Sequence, residues 1–226
     1  MQQHLLTPQV LFSGKNFFEI NLNEAVKLAS TGSTKTSGPE AKQKLINALH
    51  LQHAKRFEAD EQRADSYISY GGYGEDRSFM WADTYMAKTN SFIHLGVDIN
   101  VPKSTNVTLP FDVMVIDSRT DTDLDVGWGT RLVVVPTNPE ENPAIVLGHL
   151  APDVPQVGHI IGAGTTIATI GTYPENGNVF EHLHIQLVVP ELIRNNPSIW
   201  DTLDGYGTKA DLTNYPDPFN STFLLD

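Results

Sequence analysis

The stretch SFIHLGVDINVP at residues 91–102 decides how the middle of this chain folds. Its β-branched residues and its closing proline favour a β-strand over a helix. Alternate residues of a strand face the same side, so His94, Gly96 and Asp98 are predicted to share one face. Because Gly96 has no side chain, it leaves space between the imidazole and the carboxylate. That space suits a metal ion.

Two further stretches place histidines in a comparable setting. EHLHIQL at residues 181–187 alternates in the same way, so His182 and His184 are predicted on one face and the apolar residues on the other. AIVLGHL at residues 144–150 is an apolar strand that ends at a corner containing His149. Zinc accepts imidazole nitrogen and carboxylate oxygen in tetrahedral geometry, and three protein ligands leave a fourth position for water. The chain has no cysteine, which argues against a closed structural zinc site.

A lone His-x-His pair is more often exposed or hydrogen-bonded than metal-bound. The three motifs in this order are therefore stronger evidence for a metal site than any one of them. His-x-x-x-Asp, then Gly-His-Leu, then His-Leu-His together resemble the M23 family of zinc metallopeptidases, the lysostaphin and LytM type that cuts peptide bonds in bacterial peptidoglycan. The stretch VGHIIGAGTTIATIG at residues 157–171 is similar to the hairpin that leads to the last motif of that family. The resemblance covers residues from about 90 to about 190.

The resemblance implies a role for each of five residues. It makes His94, Asp98 and His184 the ligands of a zinc ion, Zn²⁺. It makes His149 and His182 the catalytic histidines near the water bound to that ion. No member of the set is missing from this chain.

Two positions depart from the family pattern. Ile185 follows the last histidine, where an aromatic residue is common, and Glu181 precedes the motif, where Pro or Ser is common. A carboxylate beside the motif either steers a histidine proton or faces solvent, and we expect Glu181 to face solvent. The other histidines match no position of the pattern: His4, His50, His53 and His159.

The stretch YGGYGEDRSF at residues 70–79 has two interpretations. It resembles the lead-in Y-x-E-x-R of a divergent M23 branch without secretion signals, found in other proteins joined to aminotransferase-type enzymes. The substrate would then be an intracellular amide or peptide. Equally, the stretch is a Gly-rich turn whose Tyr and Phe side chains pack over a sheet. Both interpretations stay open here.

Charge and composition exclude several classes of function. The net charge of −12 argues against nucleic-acid binding, which depends on Lys and Arg at phosphates. Residues 65–226 hold 7 basic and 21 acidic residues, a balance of −14 that is poorly suited to an anionic cell wall. No apolar run approaches the roughly 20 residues that span a bilayer. Residues 1–8 lack the pattern of a secretory signal, so we expect a cytoplasmic protein, with an extracytoplasmic location left open.

The predicted fold is mainly β, with two antiparallel sheets that form a groove, a zinc site at the floor of the groove, and N-terminal helices. Helices are expected at residues 22–30 and 39–62, and strands at residues 112–117, 130–135, 145–150, 166–170 and 182–189. The expected domains are a helical N-terminal extension at 1–64, a zinc metallopeptidase-like β domain at 65–192, and a C-terminal tail at 193–226 packed on or near that domain. Residues 118–129 and 172–180 are long polar connections that suit the walls of a substrate groove.

The predicted function is zinc-dependent hydrolysis of a peptide or amide bond, with a peptide or a peptidoglycan fragment as substrate. The alternative from another class is a non-catalytic, metal-containing binding or regulatory module of the same fold. Hydrolysis of a non-peptide bond fits the motif but has no positive support. The sequence leaves the oligomeric state open.

Overall fold

The computed structural model describes residues 2–29, 38–56, 67–82, 84–121, 127–136 and 139–225. In these residues the strands are β1 (Gln2–Leu5), β2 (Asn16–Glu19), β3 (Tyr67–Gly71), β4 (Ile93–His94), β5 (Val97–Ile99), β6 (Asn106–Thr108), β7 (Val113–Thr120), β8 (Thr130–Pro136), β9 (Ala144–Leu150), β10 (Ile160–Ile161), β11 (Thr166–Thr169), β12 (Leu183–Val188), β13 (Tyr206–Gly207) and β14 (Thr222–Leu225). The helices are α1 (Pro8–Leu11), α2 (Leu22–Ala29), α3 (Pro39–Arg56), α4 (Ser78–Trp81), α5 (Met86–Thr89), α6 (Pro190–Asn195) and α7 (Ile199–Thr202). The prediction of a mainly β protein is confirmed.

The arrangement of the sheets differs from the two antiparallel sheets expected. One eight-stranded sheet has the order β10-β7-β8-β9-β12-β5-β3-β2, and the remaining strands form the pairs β1-β14, β11-β6 and β13-β4. Neighbours in the large sheet are antiparallel except β2 and β3, which are parallel. A parallel pair needs a long crossover, and the chain between these two strands contains α2 and α3.

The centre of the large sheet is covered on both faces. Every residue of β8 and β9 is buried, which explains their nearly continuous apolar sequences. Leu132 and Val134 of β8 pack in one hydrophobic core, while Val133 and Val135 pack in a second core on the other face. The second core also contains Leu203 and other residues of the C-terminal segment. The C-terminal segment therefore covers this second face of the large sheet.

The predicted strand at residues 91–102 is divided into β4 and β5. Between them, Leu95 donates its backbone N–H to the carbonyl oxygen of Gly205, 2.9 Å away, so this part of the chain turns toward the C-terminal segment. Gly96 lies against the site, because a Cβ atom there would stand 2.6 Å from Nε2 of His184 and 2.5 Å from the carbonyl oxygen of Ile185. The close approach of the His184 ring requires glycine at this position.

The ends of the chain join the β structure. In the N-terminal region, Asn21 caps α2 by accepting the backbone N–H of Glu24 at 2.8 Å. The structure describes α3 as far as Arg56, so residues 57–62 of the helix expected there lie outside the described part.

Within residues 193–226, β13 pairs with β4 and β14 pairs with β1. The domain boundaries stay a prediction. In the described part of the chain, no helix is both long and apolar enough to cross a membrane.

Candidate functional site

The five residues singled out in the sequence line a single cavity of about 50 Å³. All five are buried, with relative exposures of 9 % for His149 and at most 3 % for the others. His94 ends β4, Asp98 lies in β5, His149 lies in β9, and His182 and His184 lie before and within β12. Because β5, β12 and β9 are neighbours in the sheet, side chains far apart in sequence meet on one face.

Three of these side chains converge on one point. Nε2 of His94 lies 3.0 Å from Nδ1 of His184 and 3.3 Å from Oδ1 of Asp98, and the last two atoms are 3.1 Å apart. Ligand atoms that each lie about 2.05 Å from a tetrahedral zinc ion are about 3.3 Å from one another. The three donors therefore match the spacing of a zinc site in both distance and chemical type.

Hydrogen bonds on the outer side of each ring fix which nitrogen faces this point. Nδ1 of His94 lies 3.1 Å from the carbonyl oxygen of Gly72, which only accepts, so Nδ1 carries the proton. Gln186 donates its amide to the carbonyl of Asp204, so its Oε1 accepts from Nε2 of His184 at 3.0 Å. Both inward nitrogens are consequently unprotonated lone pairs, as a metal ligand requires.

The protonation states needed for metal binding are favoured by the surroundings. Burial and the nearby Arg77 guanidinium lower the pKa of His94 to about 3. Burial alone would raise the pKa of Asp98, but its interactions with His94 and Arg77 hold that pKa well below its usual range. At neutral pH the imidazole is neutral and the carboxylate is ionised.

A β-bulge brings His149 to the site. The register between β8 and β9 shifts here, so that two residues of β9 stand opposite one residue of β8. In an unbroken strand, His149 would share the face of Leu147 in the main core; instead it has a φ of 62° and its imidazole enters the cavity. The preceding Gly148 allows a close contact, since a Cβ there would stand 2.8 Å from the Trp128 ring.

His149 and His182 form a second pair beside the three converging donors. Nδ1 of His149 donates to the carbonyl of Asn176 and Nδ1 of His182 donates to the carbonyl of Phe180, each at 2.8 Å. Both rings therefore present an unprotonated Nε2. Their centroids are 4.3 Å apart, and Nε2 of His182 lies 3.4 Å from Oδ1 of Asp98. Burial lowers the pKa of both histidines, so both are neutral bases near pH 7.

A buried arginine supports Asp98 from behind. Arg77 is 1 % exposed and donates to Oδ2 of Asp98 at 2.6 Å, to Oε2 of Glu75 at 3.1 Å, and to the hydroxyl of Tyr206 at 3.2 Å. Glu75 also accepts the backbone N–H of Asn23 at the start of α2. The stretch at residues 70–79 is therefore not only a Gly-rich turn, because the charged side chains of Glu75 and Arg77 are buried behind the site.

The C-terminal segment and several aromatic residues complete the cavity. Trp128 lies in the predicted groove wall at residues 118–129, while Trp81, Asp204 and Tyr206 lie in stretches for which the sequence predicted no part in the site. Tyr206 accepts a hydrogen bond from Nε1 of Trp81 at 2.7 Å, and its ring centroid lies 5.2 Å from that of His94. Trp128 makes an edge contact with His184 at 5.1 Å between centroids, and Asp204 lies on the same wall. No spacing in the sequence signals the contact of Tyr206 with His94, because it depends on the pairing of β13 with β4.

Glu181, His50 and His159 do not line this cavity. Glu181 is partly buried, and its carboxylate accepts from the backbone N–H of Lys103 at 3.0 Å and from the hydroxyl of Thr172 at 3.2 Å. His159 is exposed, and His50 lies against Ser69. Both predicted groove walls reach the cavity, residues 172–180 through Val179 and Phe180 and residues 118–129 through Gly127 and Trp128. Residues 122–126 lie outside the described part. The side chains of His4 and His53 also lie outside the described part.

Solved structures similar to this chain are M23 peptidases, as the motifs predicted. LytU is 26% identical over 42% of this chain, with a TM-score of 0.35, and the chain spans 61% of its length. The catalytic domain of lysostaphin from Staphylococcus simulans is 21% identical over 44% of this chain and 69% of that domain, with a TM-score of 0.36. A zinc-containing peptidase from Vibrio cholerae is 24% identical over 44% of this chain and 28% of its own, with a TM-score of 0.37. No protein-family model matches the sequence, and no curated protein is significantly similar to it.

Proposed function

We propose that this protein is a zinc-dependent hydrolase of peptide or amide bonds, of the M23 metalloendopeptidase type. The observation that carries the proposal is the convergence of His94 Nε2, Asp98 Oδ1 and His184 Nδ1 within 3.0 to 3.3 Å of one another. Two nitrogen lone pairs and a carboxylate at this spacing are held together best by a cation. Their mixed nitrogen and oxygen chemistry suits zinc, and three protein ligands leave one position open.

A zinc ion bound there would polarise the scissile carbonyl and acidify a water molecule. The protein's own contribution to proton transfer comes from His149 and His182. Each has an unprotonated Nε2 facing the cavity, so either ring is able to accept the proton of the attacking water. The resulting imidazolium then carries an N–H that donates to the oxyanion or to the leaving amine nitrogen. Burial and the fixed Nδ1 contacts hold both rings ready for this role.

The proposed substrate is a soluble peptide or a peptidoglycan fragment, and the proposed location is the cytoplasm. Aromatic side chains line the cavity, and they suit the apolar parts of a peptide: Trp81, Tyr85, Trp128, Phe180 and Tyr206. The excess of acidic residues in the catalytic part favours a small soluble substrate over an anionic wall polymer. An assay with soluble muropeptides, dipeptides and insoluble sacculi, read by the release of new amino groups, separates these substrates. Efficient clearing of sacculi would contradict the cytoplasmic proposal.

The metal is tested by elemental analysis of purified protein. We expect about one zinc per chain, and loss of that zinc in His184→Ala, because a site with two remaining ligands binds weakly. His159→Ala is the matched control, since His159 is exposed and remote from the cavity. Full zinc occupancy in His184→Ala would show that the ligand assignment is wrong.

The catalytic pair is tested separately from the ligands. His149→Ala and His182→Ala should keep their zinc and their fold but lose hydrolysis by on the order of a hundredfold or more. The non-catalytic alternative predicts instead that the wild-type protein turns over none of the amides while it binds zinc. A variant that loses its zinc and regains full activity when zinc is restored would belong among the ligands.

A further inference from the structure

Asp204 is a charged residue of the candidate site that the proposed proton transfer does not use. It lies in the C-terminal segment and lines the same cavity as the five site residues. A Cβ atom at the next residue, Gly205, would stand 3.4 Å from Cε1 of His184, so this segment runs directly against a ring of the candidate metal site.

The carboxylate of Asp204 is held at the rim of the cavity. The hydroxyl of Tyr85 lies 3.0 Å from Oδ1 and 2.9 Å from Oδ2, and Oδ1 also accepts the backbone N–H of Tyr206 at 3.1 Å. Tyr85 lines the cavity and is 42% exposed, so the group that it contacts lies where the cavity meets solvent. Asp204 is itself only partly buried. A molecule that enters the cavity therefore meets this carboxylate.

The negative charge of Asp204 has no lysine or arginine beside it. Within the described residues, Asp204 forms no ion pair with such a side chain, and the pKa of its carboxyl is raised because burial outweighs its hydrogen bonds. Tyr85 donates one proton, and the backbone of Gly205 and Tyr206 donates two more. A carboxylate has about four acceptor sites, so at least one site is free for a further donor.

The surroundings of Asp204 suit a cation. Four aromatic residues line the same cavity: Trp81, Tyr85, Trp128 and Tyr206. The faces of aromatic rings attract ammonium groups, and their apolar surface covers the carbon chain that carries such a group. Residues 65–226 hold 21 acidic and 7 basic residues, an excess that attracts cations toward this part of the protein.

We propose that Asp204 selects substrates that carry an ammonium group near the bond to be hydrolysed, either a free α-amino group or the amino group of a lysine-like side chain. This inference rests on the proposed hydrolase function and names the class of its substrate. The ammonium group donates to the carboxylate that Tyr85 holds in place. It also neutralises Asp204, whose charge would otherwise oppose the oxyanion that forms at an attacked carbonyl.

The test compares three peptides that differ in charge, with zinc-loaded enzyme and chromatography of the products. Trialanine amide has a free α-ammonium group, N-acetyl-lysyl-alanyl-alanine amide has only a side-chain ammonium group, and N-acetyl-trialanine amide is neutral. We expect kcat/KM for at least one charged peptide to exceed that for the neutral peptide by about tenfold to a hundredfold, as a hydrogen bond to a charged group provides. The better of the two charged peptides identifies the source of the ammonium group.

Variants assign this preference to one carboxylate. In Asp204→Asn the ratio of kcat/KM between charged and neutral peptides should fall to about one, because the amide keeps the shape and removes the charge. Asp153→Asn is the matched control, since Asp153 is exposed and does not line the cavity, and it should keep the wild-type ratio. Where Asp204→Asn does not fold, Asp204→Ser replaces it, because a hydroxyl is also able to accept the Tyr206 N–H.

A binding measurement separates this inference from the hydrolysis itself. Calorimetric titration of zinc-loaded His149→Ala or His182→Ala with the same peptides gives Kd values without turnover. We expect the same order of affinities, and loss of the difference when Asp204→Asn is added. Equal binding of charged and neutral peptides, no saturable binding up to about 10 mM, or an unchanged ratio in the Asp204 variants would overturn the role of Asp204. Absence of turnover with all three peptides would count against the proposed function, while the ratio of Kd values would still decide the role of Asp204.

Discussion

Replacing Arg77 by methionine should destabilise the protein far more than an equivalent change on the surface. The Arg77 guanidinium is 1 % exposed and pairs with Asp98 at 2.6 Å and Glu75 at 3.1 Å. Methionine fills a similar volume but leaves two buried carboxylates without their cation. Removal of one partner from a buried ion pair costs about 3–5 kcal/mol, so we expect a loss of this size in the free energy of unfolding.

Arg119→Met is the matched control. Arg119 also contacts two carboxylates, those of Asp117 at 2.9 Å and Asp201 at 2.6 Å, but its side chain is 43% exposed. Exposed ion pairs contribute about 0–1 kcal/mol to the free energy of unfolding, because water already solvates the charges. The two variants remove the same chemical group and differ in burial, so the comparison isolates desolvation.

The measurement is urea-induced unfolding of metal-free protein at pH 7, followed by fluorescence of the three tryptophans. In wild type the Asp98 pKa is depressed, so its contribution to stability is present above the unfolded pKa and is lost only as the pH falls through the folded value. In Arg77→Met, burial should raise the pKa of Asp98 above its value in the unfolded chain. As the pH falls, the folded state of the variant therefore binds this proton before the unfolded state does. The gap between variant and wild type should therefore narrow from pH 7 toward about pH 4. Equal losses in the Arg77 and Arg119 variants, or a gap that widens in acid, would refute this reasoning.

Two other changes have effects that follow from the structure. Gly96→Ala places a Cβ 2.6 Å from Nε2 of His184, so the ring must move; we expect zinc content by elemental analysis to fall well below that of wild type, and normal zinc content would contradict the close contact. Lys42 is buried over the Trp81 ring at 3.5 Å, and burial followed by the Arg77 charge lowers its pKa to about 8. The unfolded chain holds this proton up to about pH 10.5, so wild-type stability should rise between about pH 8 and pH 10 by up to about 1.4 kcal/mol per pH unit. Lys42→Met should abolish that part of the rise in urea unfolding, and an identical pH dependence in both proteins would count against the low pKa.

Strand periodicity predicted the part of the site that depends on local sequence. His182 and His184 lie on one face of the sheet while Leu183, Ile185 and Leu187 pack in the main core, as alternation requires. This pattern is readable because side-chain direction along an unbroken strand is fixed by the backbone alone.

Strand alternation alone does not predict a residue whose position depends on an irregularity or on a distant partner. His149 was predicted at the site from the resemblance of its motif and not from alternation. The bulge at His149 reverses the face that alternation assigns to it, and bulges have no reliable signature in a single sequence. Tyr206 reaches the site because β13 pairs with β4 across a large separation in the chain. Arg77 is a charged residue in a Gly-rich stretch, and such residues are usually exposed, so its burial follows only from the position of Asp98 and Glu75.

The buried arginine has a consequence for the chemistry proposed at this site. Asp98, Glu75 and Arg77 together carry two negative charges and one positive charge, a net charge of −1. Burial lowers the pKa of His94, His149 and His182, so these three rings add no positive charge near pH 7. A divalent cation held by the three converging donors would change the net charge of this ion-paired group to +1. A surplus of one positive charge in a buried cavity favours the oxyanion that forms when an amide carbonyl is attacked. Without Arg77 the same group would be neutral after the cation binds, so this guanidinium both holds Asp98 in place and would leave the cavity positively charged for the proposed hydrolysis.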